Sequence, residues 1–145
     1  MTCKYERIFA SLDRSETQRN VCERAIEIAS KYNADLFLGH VVDAVPSEAS
    51  KGDLDLIAIT AEKHLREELA DLIEAAEADS NIKSVTVKAI TGGLPEAVLN
   101  QLASLFNPDL VVCANRGFSG IRYAFVGSVS SYLIRNAECD VLVVK

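Results

Sequence analysis

No apolar run in these 145 residues approaches the roughly 18 to 20 residues that a membrane span needs. Low-complexity tracts are absent as well. Met1 to Arg7 lacks the apolar core of a signal peptide, so a cytoplasmic location is expected. Basic residues are in the minority, with 15 Lys and Arg against 21 Asp and Glu and a formal charge of −6. A chain so charged has no general attraction for nucleic acid or for an anionic membrane. Any phosphate site must therefore be made locally, from backbone amides or one or two arginines. Metal-binding patterns are missing too. Cys3, Cys22, Cys113 and Cys139 form no C-x-x-C pair, and neither histidine lies at ligand spacing. Cys113 and Cys139 sit in apolar runs, where a free thiol behaves as a small hydrophobe. Reduced core thiols in a reducing compartment, and no zinc, are the expectation.

What is present is ordinary globular material: 49% apolar and 25% charged residues, enough for one domain spanning 1–145 with a full core. Short apolar runs alternate with longer amphipathic stretches. Tyr5 to Leu12 reads as a strand. Ser15 to Tyr32 reads as a helix, with Val21, Ala25, Ile28 and Ala29 on one face. Ala34 to Val42 is a second strand, apolar enough for burial on both faces. After a loop from Asp43 to Lys51, Asp53 to Ala78 reads as one long helix, with Leu54, Ile57, Ala61, Leu65, Leu69, Leu72 and Ile73 recurring at three and four. Ile82 to Ile90 alternates as a third strand. Gly92-Gly93 breaks the chain, and Pro95 suits the first turn of a helix running to about Phe106. Asp109 to Cys113 is the fourth strand, Val126 to Asn136 the last helix, and Val141 to Lys145 the last strand.

Strands alternating with helices predict a parallel sheet covered on both faces. The expected architecture is a three-layer, doubly wound, five-stranded α/β fold with strand order 3-2-1-4-5. Ligands bind such sheets beyond the carboxyl ends of the strands, where the winding reverses. That switch point falls between strands one and four. It singles out Ser11 to Ser15 and Ala114 to Gly120.

The first segment has no G-x-G-x-x-G, which disfavours a dinucleotide-binding turn, and no P-loop motif occurs anywhere. Ser15 reads as the N-cap of the first helix. Asp13 is either an acceptor for a ribose hydroxyl or a solvated turn carboxylate favoured by the helix dipole. The second segment offers turn glycines at Gly117 and Gly120, then Gly127-Ser128 opening an amphipathic helix. Exposed amides at a helix N-terminus bind anions, and glycine lets a phosphate approach the backbone closely. Hydroxyls of Ser128 and Ser130 can add donors. The plainer alternative is a loop with turn glycines and a capping serine.

The chain resembles the universal stress protein family over nearly its whole length. The resemblance is carried by Arg7 to Ser15 (RIFASLDRS), by Gly39 to Asp43 (GHVVD), by the Gly92-Gly93-Leu94-Pro95 turn, and most strongly by Pro108 to Lys145. ATP-binding members carry G-x2-G-x9-G-[S/T]. Gly117, nine residues, then Gly127-Ser128 fit its second half, whereas the first glycine is replaced by Ala114. The resemblance implies an adenine nucleotide alpha hydrolase-like fold and a set of roles. Asp13 would contact the ribose, and main-chain groups of Val41 the adenine edge. Gly117, Gly127, Ser128 and Val129 would hold the phosphates, and Ser11, Cys113 and Ala114 would line the pocket. Arg116 and Arg122 could pair with phosphate. At Ala114 a negative φ would make the extra methyl harmless, whereas a positive φ would cost roughly 1 to 2 kcal/mol. The family also implies a homodimer through the edge strand Val141 to Lys145.

The expected function is binding of ATP, with or without Mg, as a regulatory or signalling ligand in stress response. The alternative is an interaction module of the same fold that binds no nucleotide, which the loss of the first glycine favours. No catalytic constellation is suggested by spacing. His40 reads as a satisfied core residue and His64 as solvated, so an enzyme is not expected, with slow ATP hydrolysis left open. A phospho-acceptor receiver would need an Asp ending strand three, where Ile90-Thr91 stands. A flavin carrier could use Phe118 and Tyr123 for stacking, but its phosphate loop would lie on a different strand.

Overall fold

The structure is a computed structural model of the chain that describes residues 5–115 and 128–145, the side chain of Ser128 excepted. Five strands, β1 (Arg7–Leu12), β2 (Asp35–Val42), β3 (Ser84–Thr91), β4 (Leu110–Ala114) and β5 (Asp140–Val144), form one sheet. All pairings are parallel and the order is β3-β2-β1-β4-β5, as the alternation of strands and helices predicts. One face of the sheet, with Ile8, Ala10, Leu36, Leu38, Val112 and Ala114, packs against α1 (Gln18–Tyr32), α2 (Lys51–Glu68) and α3 (Ala70–Ala78). The other face, with Phe9, Phe37, Val41, Val111 and Cys113, packs against a π-helical stretch (Val98–Ala103), the short α4 (Ser104–Phe106) and α5 (Ser128–Asn136). Phe9 stacks on Phe37 at 5.4 Å, and Phe37 meets Phe106 at 5.0 Å. Phe9 and Leu102 also lean over Gly39, where a Cβ would stand 2.9 Å from Phe9 Cζ and 3.1 Å from Leu102 Cδ1.

Three elements depart from the sequence reading, each for a local reason. Residues expected to form one long helix form two, because the chain turns at Leu69 (φ −115, ψ 23). Ala61, Leu65, Leu69 and Ile73 are all buried. A strict four-residue spacing drifts about 40° per step around a straight α-helix, so a single helix would carry this row off the sheet. The turn at Leu69 resets it. The start of α2 lies before Asp53, at a capping box. Ser50 Oγ accepts the Asp53 N–H at 3.1 Å, and Asp53 Oδ2 accepts the Ser50 N–H at 3.0 Å.

The helix after Pro95 widens to a π-helix, in which Ser104 N–H bonds to Leu99 C=O, five residues back. At α-helical pitch Ala103 would lie off the face that carries Val98 and Leu102; the wider turn brings all three onto the sheet. Finally, Ser15 is not the N-cap of α1. Thr17 occupies that position without a side-chain capping bond, its Oγ1 lying 2.9 Å from Ser15 Oγ, and α1 begins at Gln18. Ser15 instead closes the turn ahead of the helix: its Oγ donates to Asp13 Oδ1 at 2.6 Å, and its carbonyl accepts the Gln18 N–H at 3.2 Å.

Candidate functional site

β1 and β4 lie side by side at the centre of the sheet, and their carboxyl ends flank the switch point. Ala10 pairs with Val112, so the next step along the register sets Ser11 beside Cys113. Leu12 pairs with His40, so the step beyond it sets Asp13 beside Val41. Strand alternation puts Ser11, Val41 and Cys113 on the α5 side of the sheet, all three buried. Asp13 stands half-buried at the rim just past them. Its carboxylate acts on the Cys113 thiol, whose pKa is pushed up to about 12, first by burial and then by that negative charge. Cys113 is therefore a neutral buried thiol and not an activated nucleophile. The structure thus brings together four residues named from the sequence, Ser11, Asp13, Val41 and Cys113.

The turn after β1 is tightly specified. Asp13 Oδ1 accepts both the Ser15 N–H at 2.9 Å and the Ser15 hydroxyl at 2.6 Å. Arg14 then takes a left-handed conformation, φ 61. In a parallel ladder the residue facing its neighbour takes one N–H and gives one C=O, one rung apart. Asp35 N–H bonds to Glu6 C=O, so the odd-numbered residues of β2 face β1. By that rule the rung after Leu12 would join Arg14 N–H to Val41 C=O. Arg14 N–H goes instead to Gln18 Oε1 at 2.8 Å. The β1–β2 ladder stops at Leu12 and His40, and the donor due to Val41 C=O is diverted.

Gln18 and Glu68 complete this turn, and the sequence reading singled out neither. Arg14 binds Glu68 with two prongs, Nε to Oε1 at 3.1 Å and Nη2 to Oε2 at 2.6 Å. The guanidinium holds the Glu68 carboxyl below its ordinary range. Gln18 Nε2 reaches Glu68 Oε1 at 3.5 Å. Gln18 is buried on the face of α1 that also carries Val21, Cys22 and Ala25. A glutamine at that spacing on an apolar face was the available signal. Glu68, some fifty residues from Arg14, gave none.

Ala114 ends β4 in extended backbone. The non-glycine residues of positive φ among those described are Arg14, Asn33 and Asn107. Alanine is unstrained at position 114, and its methyl is buried in the α1-side core. Asn115 N–H continues the ladder to Val144 C=O at 2.8 Å. Ser130, buried at the start of α5, donates its hydroxyl to Asn115 C=O at 3.4 Å, so it ties α5 to the end of β4. Val129 packs its side chain against the core around Cys113. Arg116, Gly117, Arg122, Gly127 and the side chain of Ser128 lie outside the described residues.

His40 is satisfied as the sequence suggested. Its Nδ1 donates to Leu12 C=O at 2.8 Å, and burial lowers its pKa. His64 is exposed on α2. Among the described residues, no three His, Cys, Asp or Glu side chains are grouped to hold a metal ion, and no helix is long and apolar enough to cross a membrane. A separate hollow of about 360 Å³ lies between α2 and the carboxyl half of β3, lined by Leu54, Ile59, Glu62, Lys88 and Ile90 among others. Glu62 Oε1 accepts the Ala89 N–H there at 3.4 Å and blunts the free edge of β3.

Comparison with known proteins gives consistent answers. A sequence model of the universal stress protein family matches residues 4–145. Universal stress protein Sll1388 of Synechocystis sp. is 30% identical, over 97% of this chain and 98% of that protein. Among solved structures, universal stress protein UspA from Lactobacillus plantarum superposes with a TM-score of 0.77 at 25% identity, covering 98% of this chain and 99% of that one. A universal stress protein crystallised in complex with cAMP shares the fold, with a TM-score of 0.71, 24% identity and 98% coverage of both chains.

Proposed function

Because the chain belongs to the universal stress protein family, we propose that it binds an adenine nucleotide, ATP first among them, as a regulatory ligand in stress response and not as a substrate for turnover. The observation that carries this reading is the opened rung at the switch point. A carboxylate, Asp13, and a strand carbonyl whose ladder donor has been drawn away, Val41, stand side by side above buried Ser11 and Cys113. A carboxylate suits ribose hydroxyls, and a strand carbonyl suits the exocyclic amine of adenine. Gly117, Gly127, Ser128 and Val129 would then hold the phosphates on backbone amides at the start of α5, with Arg116 pairing to them. Ala114 would line the pocket through its backbone, since its methyl points into the α1-side core. The cAMP complex of a structural neighbour is a property of that protein, and it is consistent with an adenine ligand in this fold.

The loss of a motif glycine was the reason to favour a module without nucleotide. That reason had two grounds, strain and a methyl in the phosphate space; extended backbone at Ala114 answers the first, and burial of its methyl in the α1-side core speaks against the second. We also read the chain as a homodimer paired through residues 141–145. β5 is an edge strand, and Val141, Leu142 and Val143 are only half-buried in the single chain. Isothermal titration with ATP, with and without Mg, tests the nucleotide reading, alongside mass spectrometry of ligand released on denaturation. Saturable binding that Gly127→Val abolishes, with the fold intact by circular dichroism, is the expected result. No released nucleotide and no heat at millimolar ATP would overturn it.

A further inference from the structure

The Arg14 turn raises the question of what holds a bulky residue in a conformation that glycine normally supplies. An L-residue at positive φ is strained, and such strain persists only where the surroundings over-determine it. Two contacts do so here. Gln18 Oε1 takes the Arg14 N–H from the buried face of α1. Glu68, the last residue of α2, takes the guanidinium in a two-pronged pair and touches Gln18 as well. Without them the strand could run one rung further. Arg14 N–H would then bond to Val41 C=O, and Asp13 would join the ladder instead of standing at the rim.

We propose that Glu68 is a positioning residue for the nucleotide site, acting through Arg14 and Gln18 to keep the Val41 carbonyl clear of β1 and Asp13 out of the β1–β2 ladder. The proposal rests on the nucleotide reading above for its ligand and on the turn geometry for its mechanism. It has a second consequence. Glu68 immediately precedes the break at Leu69, and Arg19 of α1 pairs with Asp71 just beyond it. Two ion pairs therefore straddle the junction of α2 and α3 and connect it to α1 and to the Asp13 turn. By linkage, a ligand that fixes the turn must in equal measure stabilise the α2–α3 junction.

The test uses the full chain. Glu68→Gln keeps the side-chain shape and removes the charge. Arg14 and Glu68 are each more than a third exposed, so global stability should change little, whereas ATP affinity should fall about threefold to fivefold. The decisive variant adds Arg14→Gly to Glu68→Gln. Glycine adopts positive φ without a tether, so the double variant should recover most of the lost affinity. A further loss in the double variant would overturn the proposal, since general damage to the turn worsens with glycine. In the ligand-free protein, amide exchange at Arg14 and Ser15 should quicken in Glu68→Gln, and unchanged exchange would also overturn it. Absence of ATP binding in the unmodified chain would defeat the nucleotide reading alone; the exchange rates would still decide for or against positioning.

Discussion

A methyl group added at Gly39 is expected to destabilise the protein, against the usual direction for glycine in a strand. Replacing strand glycine by alanine ordinarily gains roughly 0.5 to 1 kcal/mol by restricting the unfolded chain. Here the new Cβ would stand 2.9 and 3.0 Å from two ring carbons of Phe9 and 3.1 Å from Leu102 Cδ1. Neither neighbour has anywhere to go: Phe9 is 0% and Leu102 1% exposed, and Phe9 is stacked on Phe37. Overpacking of such a core costs roughly 1 to 3 kcal/mol, which exceeds the backbone gain over most of its range. For a chain of 145 residues each kcal/mol moves the midpoint by about 3 °C, so Gly39→Ala should lower Tm by up to roughly 7 °C. Urea unfolding followed by circular dichroism measures this, with the m-value unchanged. Shortening the ring in the same background, Phe9→Leu with Gly39→Ala, should cost less than the two single changes added, because the leucine vacates the space. A Gly39→Ala protein as stable as the parent, or more so, would refute this account of the close packing.

Other consequences concern the site and its surroundings. Ala114→Gly should leave ATP affinity within about twofold, because the alanine is extended and its methyl faces away from the pocket; titration calorimetry reads this, and a clear gain would show that the methyl obstructs the ligand. His40 gives a pH dependence whose sign follows from its burial. Its folded pKa lies below the ordinary 6.5, so as pH falls through that value the unfolded chain takes up a proton that the folded chain resists. The stability it contributes is complete above about 6.5 and is lost below it. His40→Gln should flatten that limb of the urea midpoint against pH. The contribution of the Arg14–Glu68 pair disappears only lower, in the carboxylate range, because Glu68 is held below its usual pKa. An unaltered limb in His40→Gln would show that another group is responsible.

Strand count, parallel pairing and strand order were all legible, because the central runs are apolar on both faces, the β3 run alternates as an edge strand does, and the crossovers are helical. The candidate site was legible in two ways: the strand pattern pointed to the segments after β1 and β4, and the family resemblance named Val41 and Cys113, which the register sets near Asp13 and Ser11. What escaped were features made by residues distant in sequence. Arg14 reads as loop charge until Glu68 and Gln18 are seen around it. Ser15 satisfies every local rule for an N-cap, and its Oγ accepts the Thr17 N–H at 3.3 Å, yet the regular helix begins only at Gln18. The long helix reads as continuous because a drift of about 40° per four residues is invisible to a count of threes and fours. The need for glycine at position 39 comes wholly from Phe9 and Leu102, thirty and more residues away on either side.

The central claim, that an adenine nucleotide sits over the carboxyl ends of β1, β2 and β4, is tested most directly by mapping amide chemical shifts during an ATP titration. The largest changes are expected at Asp13, Val41, Cys113 and Ala114, with the turn through Ser15 following them. Changes confined to α2 and β3 around Glu62 and Lys88, where the separate hollow lies, would contradict the claim.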